Sequence, residues 1–345
     1  MQRHGGVSRY FVELTHAMKS LVGFEAVIPS FFTDNQYLPN KRIFLTQRPF
    51  KGKVRIMSAI NRAVSRRSLG SSYDLFHPTY FHPYFLSRLK SPFVVTVHDM
   101  VHDLYGADYV RDDGTRSNMR VLCRRAARII AVSQATRDDL CRLLDIPDSK
   151  VAVIHHGTNL RYAGERSLHA GRYLLYVGER GGYKNFEFFL SSVAPLVKAE
   201  GIELVCVGSS PFAWNEKRLM DRLGVRDKVY HAQVTTAGEL ASLYHFASAF
   251  CFPSLHEGFG MPILEAFSCG CPVVASATPS FQEVAAGGAE YFDPKDPPSV
   301  RSSVERVVFD SEKSENLVRE GRERMKLFSW ERAAEATLEV YKAAV

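Results

Sequence analysis

Short apolar runs alternate with amphipathic segments along the whole chain. The runs are rich in β-branched and aromatic residues and are continuous, which indicates parallel strands covered on both faces. They predict strands over Phe24–Pro29, Leu75–His77, Phe93–Val97, Ile129–Val132, Val151–Ile154, Tyr173–Val177, Ile202–Val207, Val229–His231, Ala249–Phe252, Pro272–Ala275 and Tyr291–Phe292. Helical periodicity fills the intervals, as in Glu187–Ala199, Trp214–Leu223, Glu239–Ala247, Pro262–Ser268 and Pro298–Phe309. This alternation predicts an α/β protein with doubly wound sheets.

The strands fall into two series, and the break lies near Gly157–Gly171, where a polar stretch precedes the next apolar run. We therefore predict a Rossmann-like N-terminal domain over residues 1–160 and a C-terminal domain over 161–328. A last amphipathic helix over 329–345 is expected to pack back towards the N-terminal domain. The length of 345 residues is compatible with two domains.

The N-terminal domain opens unusually, with an amphipathic helix whose apolar positions include Tyr10, Phe11 and Leu14. A doubly wound domain normally opens with a strand, and Gly5-Gly6 resembles the turn that follows one. We therefore expect this domain to lack its first strand, either because the natural start lies upstream or the chain is truncated, or because the domain is built without that strand.

The composition is that of an ordinary globular protein, with 46% hydrophobic and 23% charged residues. No apolar stretch approaches the roughly 18 residues that a membrane-spanning helix needs, and the polar N-terminus has no signal-peptide core. The six cysteines include no C-x-x-C pair. We therefore expect free thiols in a reducing cytoplasm rather than a zinc site or a disulfide framework.

Charge is distributed unevenly between the two halves. Residues 1–165 hold 24 Lys+Arg against 14 Asp+Glu, a balance of +10, whereas residues 166–345 hold 20 against 23, a balance of −3. The densest basic stretch, with apolar residues interleaved, contains Lys51, Lys53, Arg55, Arg66 and Arg67. Such a segment suits an anionic membrane surface or a lipid-diphosphate acceptor, and the alternative is a solvated helix face.

Two carboxylates follow the predicted strand Ala249–Phe252. Glu257 precedes a predicted helix and Glu265 lies about one turn into it, with glycines at 258 and 260 between them. Ligands of open α/β sheets bind at the carboxyl ends of strands, and the backbone N–H groups of a helix start attract anions. The pattern suits a ligand that carries hydroxyls and a phosphate. The alternative is two surface glutamates on an ordinary helix.

Two further strand ends carry candidate groups. A glycine-rich loop with Arg180 and Lys184 follows Tyr173–Val177, which suits a phosphate cradle or, alternatively, a flexible basic loop. The loop matches neither G-x-x-x-x-G-K-[ST] nor G-x-G-x-x-G. His98 follows Phe93–Val97 and suits contact with sugar oxygens or a reacting group, or alternatively a structural role. His77 and His82 are interpreted as structural.

No metal or other cofactor is expected. The chain contains no Asp-x-Asp, and its histidines and carboxylates show no convincing metal-ligand spacing.

These motifs together resemble the retaining GT-B glycosyltransferases of family 4. The strongest match is Glu257-x7-Glu265 with its preceding Pro253-Ser254 and downstream Glu283-Val284. Further matches, which occur in the family's order, are Gly5-Gly6-Val7-Ser8-Arg9-Tyr10, Ala131-Val132-Ser133, His156-Gly157 and Tyr176-Val177-Gly178 with Lys184-Asn185. The resemblance implies two Rossmann-like domains that face a cleft and a nucleotide diphosphate sugar as donor.

The resemblance also implies roles for individual residues. Glu257 and His98 would lie at the transferred sugar, and Glu265 would hold the ribose hydroxyls. The diphosphate and donor sugar would be lined by Lys184, Gly6, Gly258, Phe259, Gly260 and Met261. The family commonly has Arg-Lys at the diphosphate, whereas Tyr183 precedes the lysine here. We therefore expect Arg180 to supply the second charge.

The implied activity is metal-independent transfer of a sugar, with retention, to a hydroxyl of a saccharide or lipid-linked acceptor. The motif style is most similar to that of bacterial polysaccharide mannosyltransferases that use GDP-mannose. The basic half would bind the acceptor or an anionic membrane, and no nucleic acid partner is expected. A GT-B sugar-nucleotide epimerase and a non-catalytic nucleotide-sugar-binding protein are the alternatives.

Overall fold

A computed structural model describes residues 6–19, 21, 24–28, 53–69, 73–105, 114–208 and 210–345. The chain divides into two compact units. The first unit comprises Met1–Asp103, Asp112–His156 and Trp330–Val345, and the second comprises Leu104–Arg111 and Gly157–Ser329.

The first unit contains a three-stranded parallel sheet in the order β1-β2-β3. Its strands are β1 (Val94–Val97), β2 (Arg128–Ala131) and β3 (Val151–Val153). Its described helices are α1 (Gly6–Met18), α2 (Lys53–Ser68), α3 (Val101–Leu104), α4 (Thr115–Arg125) and α5 (Gln134–Leu144), with α3 ending just past the unit boundary. Continuous apolar sequence forms β1 because all four of its residues are buried.

Two predicted strands of the first unit are wrong. Residues 24–28 have no regular secondary structure. Over 75–77 only Phe76 pairs, in a single parallel bridge with Phe93. Pro78 follows directly, and because proline has no backbone N–H it cannot extend a ladder. An apolar run alone therefore does not make a strand where the neighbouring backbone cannot pair with it.

The second unit contains a six-stranded parallel sheet in the order β6-β5-β4-β7-β8-β9. Its strands are β4 (Tyr173–Val177), β5 (Glu203–Val207), β6 (Val229–Ala232), β7 (Ala249–Phe252), β8 (Val273–Ser276) and β9 (Ala289–Phe292). Its helices are α6 (Phe186–Glu200), α7 (Trp214–Leu223), α8 (Ala237–Phe246), α9 (Met261–Ser268), α10 (Pro279–Ala285), α11 (Pro297–Phe309) and α12 (Ser311–Met325). All six predicted strands of this half are confirmed, with ends shifted by at most two residues.

The strand order of the second unit reverses between β4 and β7. From β4 the chain adds β5 and β6 on one side, and it then returns to place β7 against the other side of β4. Crossover helices diverge at such a switch point and leave a crevice at the carboxyl ends of the two strands. The loops after β4 and β7 are therefore neighbours in space, although roughly 75 residues separate them along the chain.

The last helix, α13 (Trp330–Lys342), belongs to the first unit and packs against α1. Its buried residues Trp330, Ala333, Ala334 and Thr337 recur at intervals of one helical turn. Near its end, the Tyr341 hydroxyl lies 2.6 Å from His77 Nδ1. An apolar stripe and polar contacts from Tyr341 and Thr337 thus connect this helix to the rest of the first unit.

Candidate functional site

The turn from β7 into α9 is built around Gly260, which adopts φ +107°. A Cβ atom there would lie 3.1 Å from ring carbons of Phe281, so both the backbone conformation and the space favour glycine. No side chain caps this helix start, and Pro262 occupies its first turn. The first N–H groups of α9 and the positive end of its dipole make this turn suitable for an anion.

Glu257 lies in the loop before this turn and is bonded to Lys184 from the loop after β4. Lys184 Nζ donates to Glu257 Oε1 at 2.5 Å, and the two side chains are 19% and 15% exposed. Ser254 Oγ donates to the same carboxylate oxygen at 2.8 Å, and Ser280 Oγ donates to the Glu257 carbonyl at 2.7 Å. The switch point therefore brings together one cation and one carboxylate, both reachable from solvent.

The backbones of the two loops are also joined. Leu255 N–H donates to the Tyr183 carbonyl at 2.8 Å. Residues Gly182–Lys184 form a 3-10 turn that ends at Asn185, and the Asn185 amide donates to the Pro294 carbonyl at 2.9 Å. Short backbone contacts of this kind fix the Lys184 stem relative to Glu257.

Glu265 lies on α9, and only 5% of it is exposed. Tyr244 on α8 donates its hydroxyl to Glu265 Oε2 at 3.2 Å. Burial, together with the neighbouring Glu265 charge, raises the pKa of Tyr244 well above its ordinary value, so the phenol stays a donor. The predicted ribose contact of Glu265 is not tested by this geometry and stays a prediction.

Arg180 is bound within the second unit as a brace. Its Nε donates to Glu216 Oε1 at 2.7 Å, and both side chains are less than a tenth exposed. Its Nη2 also donates to the Ser210 and Pro211 carbonyls, and the guanidinium lies 4.7 Å from the centre of the Phe212 ring. These contacts join the loop after β4 to the start of α7. The predicted role of Arg180 at a diphosphate stays a prediction, and its described contacts are structural.

His98 lies in the first unit, directly after β1. Its ring meets Tyr10 and His156 edge-on, at centroid distances of 4.9 and 5.8 Å. Burial lowers the pKa of His98 to about 4, so the imidazole is neutral at physiological pH. His77 is hydrogen-bonded to Thr96 and Tyr341, consistent with its predicted structural role.

The remaining predicted residues are spread over both units. Gly6 is the exposed first residue of α1, and Met261 is the half-buried first residue of α9, whereas Gly258 and Phe259 are buried beside it. Lys51 and Gly5 lie outside the described residues. Lys53 and Arg55 lie at the start of α2, and Arg66 and Arg67 are exposed in its last turn.

Three partners of the site were missed by sequence reasoning: Ser280, Tyr244 and Glu216. They bond to Glu257, Glu265 and Arg180, and each comes from another helix. Ser254, three residues before Glu257, was noted only as part of a motif. A serine directly after a strand and near a carboxylate is a local signal that could have been used.

Comparison with known proteins assigns a family to both halves of the chain. A family model described as Glycosyltransferase Family 4 matches residues 4–162, and one described as Glycosyl transferases group 1 matches residues 165–324. The chain is a family 4 glycosyltransferase. Together the two models cover most of both units, including the loops that carry Lys184 and Glu257 but not the last helix.

Several curated relatives of this glycosyltransferase transfer sugars. The O-antigen chain mannosyltransferase RfbU of Salmonella typhimurium is 27% identical over 62% of this chain, and the match spans 60% of RfbU. The O-antigen chain mannosyltransferase B of Escherichia coli is 26% identical over 78% of this chain and 74% of its own. The D-inositol 3-phosphate glycosyltransferase of Salinispora arenicola is 27% identical, with coverages of 87% and 75%.

Solved structures establish the fold as GT-B. HepE of Anabaena, determined in complex with UDP and glucose, superposes with a TM-score of 0.75 at 17% identity and covers 98% of this glycosyltransferase and 96% of HepE. The predicted fold class is therefore confirmed, including two Rossmann-like α/β domains.

The described residues show neither a membrane-spanning helix nor a metal-ligand cluster. No described helix has the length and apolar character needed to cross a bilayer. Among the same residues, no group of three or more His, Cys, Asp or Glu side chains is arranged to hold a metal ion. The six cysteines are free thiols, and five of them are buried.

Proposed function

We propose that this glycosyltransferase transfers mannose from GDP-mannose, with retention, to a hydroxyl of a saccharide or lipid-linked saccharide in cell-surface polysaccharide synthesis. The Lys184–Glu257 pair at the switch point carries the proposal. It provides one cation for a diphosphate and one carboxylate for a sugar. The mannosyltransferase relatives support the choice of sugar and acceptor class, and the inositol phosphate glycosyltransferase leaves the acceptor to experiment.

The reaction breaks the bond between the sugar and the diphosphate, and negative charge develops on the leaving oxygen. Lys184 and the first N–H groups of α9 stabilise this charge, because preorganised donors act strongly where charge develops. The donor diphosphate replaces Glu257 as the partner of Lys184 and releases the carboxylate to the sugar hydroxyls. Glu257 orients the sugar and forms no covalent bond with it. Lys184 performs the neutralisation, so the proposed reaction needs no metal.

His98 contributes a neutral imidazole to the transferred sugar, and Glu265 accepts from the ribose hydroxyls. A neutral imidazole both donates and accepts hydrogen bonds, which suits a sugar hydroxyl. Gly6 leaves space for the diphosphate at the start of α1. These roles follow the family resemblance.

A donor panel tests the proposal. The full chain is incubated with GDP-mannose, UDP-glucose or UDP-N-acetylglucosamine, with EDTA present, with and without a membrane extract as acceptor. We expect acceptor-dependent release of GDP only from GDP-mannose and an α-anomeric product by NMR. Release from another donor corrects the sugar. Epimerised nucleotide sugar without acceptor, or binding without turnover with every donor, would show that the protein is not a transferase.

We also propose peripheral contact with an anionic membrane through α2. Arg66 and Arg67 are exposed in its last turn, and Ile56 is 45% exposed near its start, while Met57 is buried. Exposed cations and an exposed apolar residue on the same helix suit an anionic lipid surface. Co-sedimentation with phosphatidylglycerol vesicles should fall with salt and with the Arg66→Gln/Arg67→Gln variant. Binding that is absent or insensitive to both rejects this contact.

A further inference from the structure

A cluster of aromatic rings surrounds His98 within the first unit. The ring cluster consists of Tyr10, His98, His156 and Trp330. Tyr10 meets the His98 ring at an interplanar angle of 82°, and His156 meets it at 76°. The two contacts place ring edges against ring faces, the arrangement that aromatic quadrupoles favour.

Packing against Tyr10 and His156 restricts the His98 ring. Its Nε2 atom is buried and has no hydrogen-bond partner among the described residues. A ring held in this way keeps its orientation only while its neighbours keep theirs. Residues that pack against Tyr10 and His156 therefore also affect how His98 can be oriented towards a sugar.

Trp330 packs against both His156 and Tyr10. Its ring stacks on His156 at 5.8 Å and 26°, and it lies 5.9 Å from the ring of Tyr10. Only 2% of Trp330 is exposed, and its indole N–H is buried with no partner in the part of the chain that the structure describes. Leaving a donor unpaired costs free energy, so the contribution of this residue is its ring surface.

We propose that Trp330 is a positioning residue, which holds His98 in its working orientation through His156 and Tyr10. The inference rests on the proposed role of His98 at the transferred sugar. It gives α13 a part in the reaction, because Trp330 is the first residue of that helix.

Removing the indole should loosen the cluster in a measurable way. His98 is surrounded by the imidazoles of His77 and His156 and by the phenol of Tyr10, and burial keeps the pKa of both neighbouring histidines low. Among the described residues, burial is the cause of the lowered pKa of His98, and no charged partner offsets it. Water that enters a Trp330→Ala cavity should favour the charged form and raise the pKa of His98 towards its ordinary value.

The experiment combines an NMR titration with kinetics. The His98 Cε1–H resonance, assigned by its loss in His98→Asn, is titrated in the full chain and in Trp330→Ala, Trp330→Phe and Tyr341→Phe. The last variant is the matched control, since it removes the contact of α13 with His77 but keeps the Trp330–His156 stack. Release of nucleotide from the active donor gives kcat and KM for each variant.

We expect Trp330→Ala to raise the pKa of His98 by about one unit or more. Its kcat should fall about tenfold at nearly unchanged donor KM, because a misplaced group loses rate rather than binding. Trp330→Phe should retain most of both values, and Tyr341→Phe should leave the pKa of His98 unchanged.

An unchanged pKa of His98 and an unchanged kcat per folded molecule in Trp330→Ala would reject the positioning role, whatever happens to the melting temperature. If Trp330→Ala does not fold, Trp330→Leu replaces it, and equal pKa values in the Leu and Phe variants reject the role. A shifted pKa combined with normal sugar transfer by His98→Asn instead removes the proposed function of His98 and leaves the packing relation intact.

Discussion

Both units carry polar groups directly after parallel strands, but the surroundings of these groups differ. In the second unit, Lys184 and Glu257 form an ion pair that solvent can reach. In the first unit, His98 is a neutral group inside a ring cluster, and burial lowers its pKa to about 4. The ion pair can exchange partners when a charged ligand arrives, whereas the ring cluster can only keep or lose its packing. Under the proposed function, the ion pair serves donor binding and the ring cluster serves the orientation of His98.

The largest effect on this comparison should come from Glu257→Gln. The variant keeps the shape of the side chain but removes the charge that orients the sugar and pairs with Lys184. We expect kcat to fall about 10³-fold, the scale of losing a key polar contact at the reacting group. Circular dichroism and the melting temperature should stay close to those of the parent, and near-normal turnover would reject the role of Glu257.

Arg180→Ala tests whether charge or bracing dominates in the loop after β4. The substitution leaves the Glu216 carboxylate buried without its partner, which should lower the free energy of unfolding by about 3–5 kcal/mol. Urea denaturation measures this loss, and Arg180→Met/Glu216→Leu should recover part of it.

The same pair of residues separates the two roles of Arg180. Glu216→Gln keeps the guanidinium but weakens the brace. If Arg180 contacts the diphosphate, Arg180→Ala should raise the donor KM and Glu216→Gln should not. Equal donor KM and kcat in Arg180→Ala and the parent would end the idea of a second charge from this residue.

Lys184→Met should lower kcat/KM for the donor about 100-fold, because a charge-assisted contact to phosphate contributes roughly 1.5–3 kcal/mol. Lys184→Arg should restore part of the loss, since it retains the charge. Isothermal titration with the free nucleoside diphosphate provides an independent measure. Unchanged affinity in Lys184→Met would place the diphosphate elsewhere.

The last prediction concerns how the stability of the first unit depends on pH. Burial lowers the pKa of His77 to about 3 and that of His98 to about 4, from 6.5. At pH 7 both states of the chain hold these rings neutral. Below pH 6.5 these histidines bind protons in the unfolded chain but stay neutral in the folded one. The free energy of unfolding therefore falls as the pH is lowered towards 4.

The slope should reach about 1.4 kcal/mol per pH unit for each histidine. Urea midpoints at pH 7.0 and 5.0 measure the change in the free energy of unfolding. His77→Gln should reduce this change by the contribution of one histidine. A urea midpoint at pH 5.0 that is no lower than the midpoint at pH 7.0 would show that the two imidazoles are protonated in the folded state.

The sequence by itself determined the class of fold and the candidate polar residues of the second unit. Strand–helix alternation predicted all six strands of that unit, and the four inner strands, β4, β5, β7 and β8, are almost fully buried and therefore almost continuously apolar. The spacing of Glu257 and Glu265 placed one carboxylate before a helix and one inside it, since both positions are local. In the first unit the same reasoning predicted strands over 24–29 and 75–77, whereas the described residues 24–28 are irregular and only Phe76 pairs, in a single bridge.

Only the tertiary structure decided which groups meet. Lys184 and Glu257 are brought together by the reversal of strand order at β4, and Arg180 is drawn to Glu216 by the start of α7. Trp330 reaches the ring cluster because the last helix belongs to the first unit. The hydrophobic periodicity of the sequence indicates which face of a helix or strand is buried. Pairing between distant segments depends on the order of strands and the packing of helices, which no local pattern encodes.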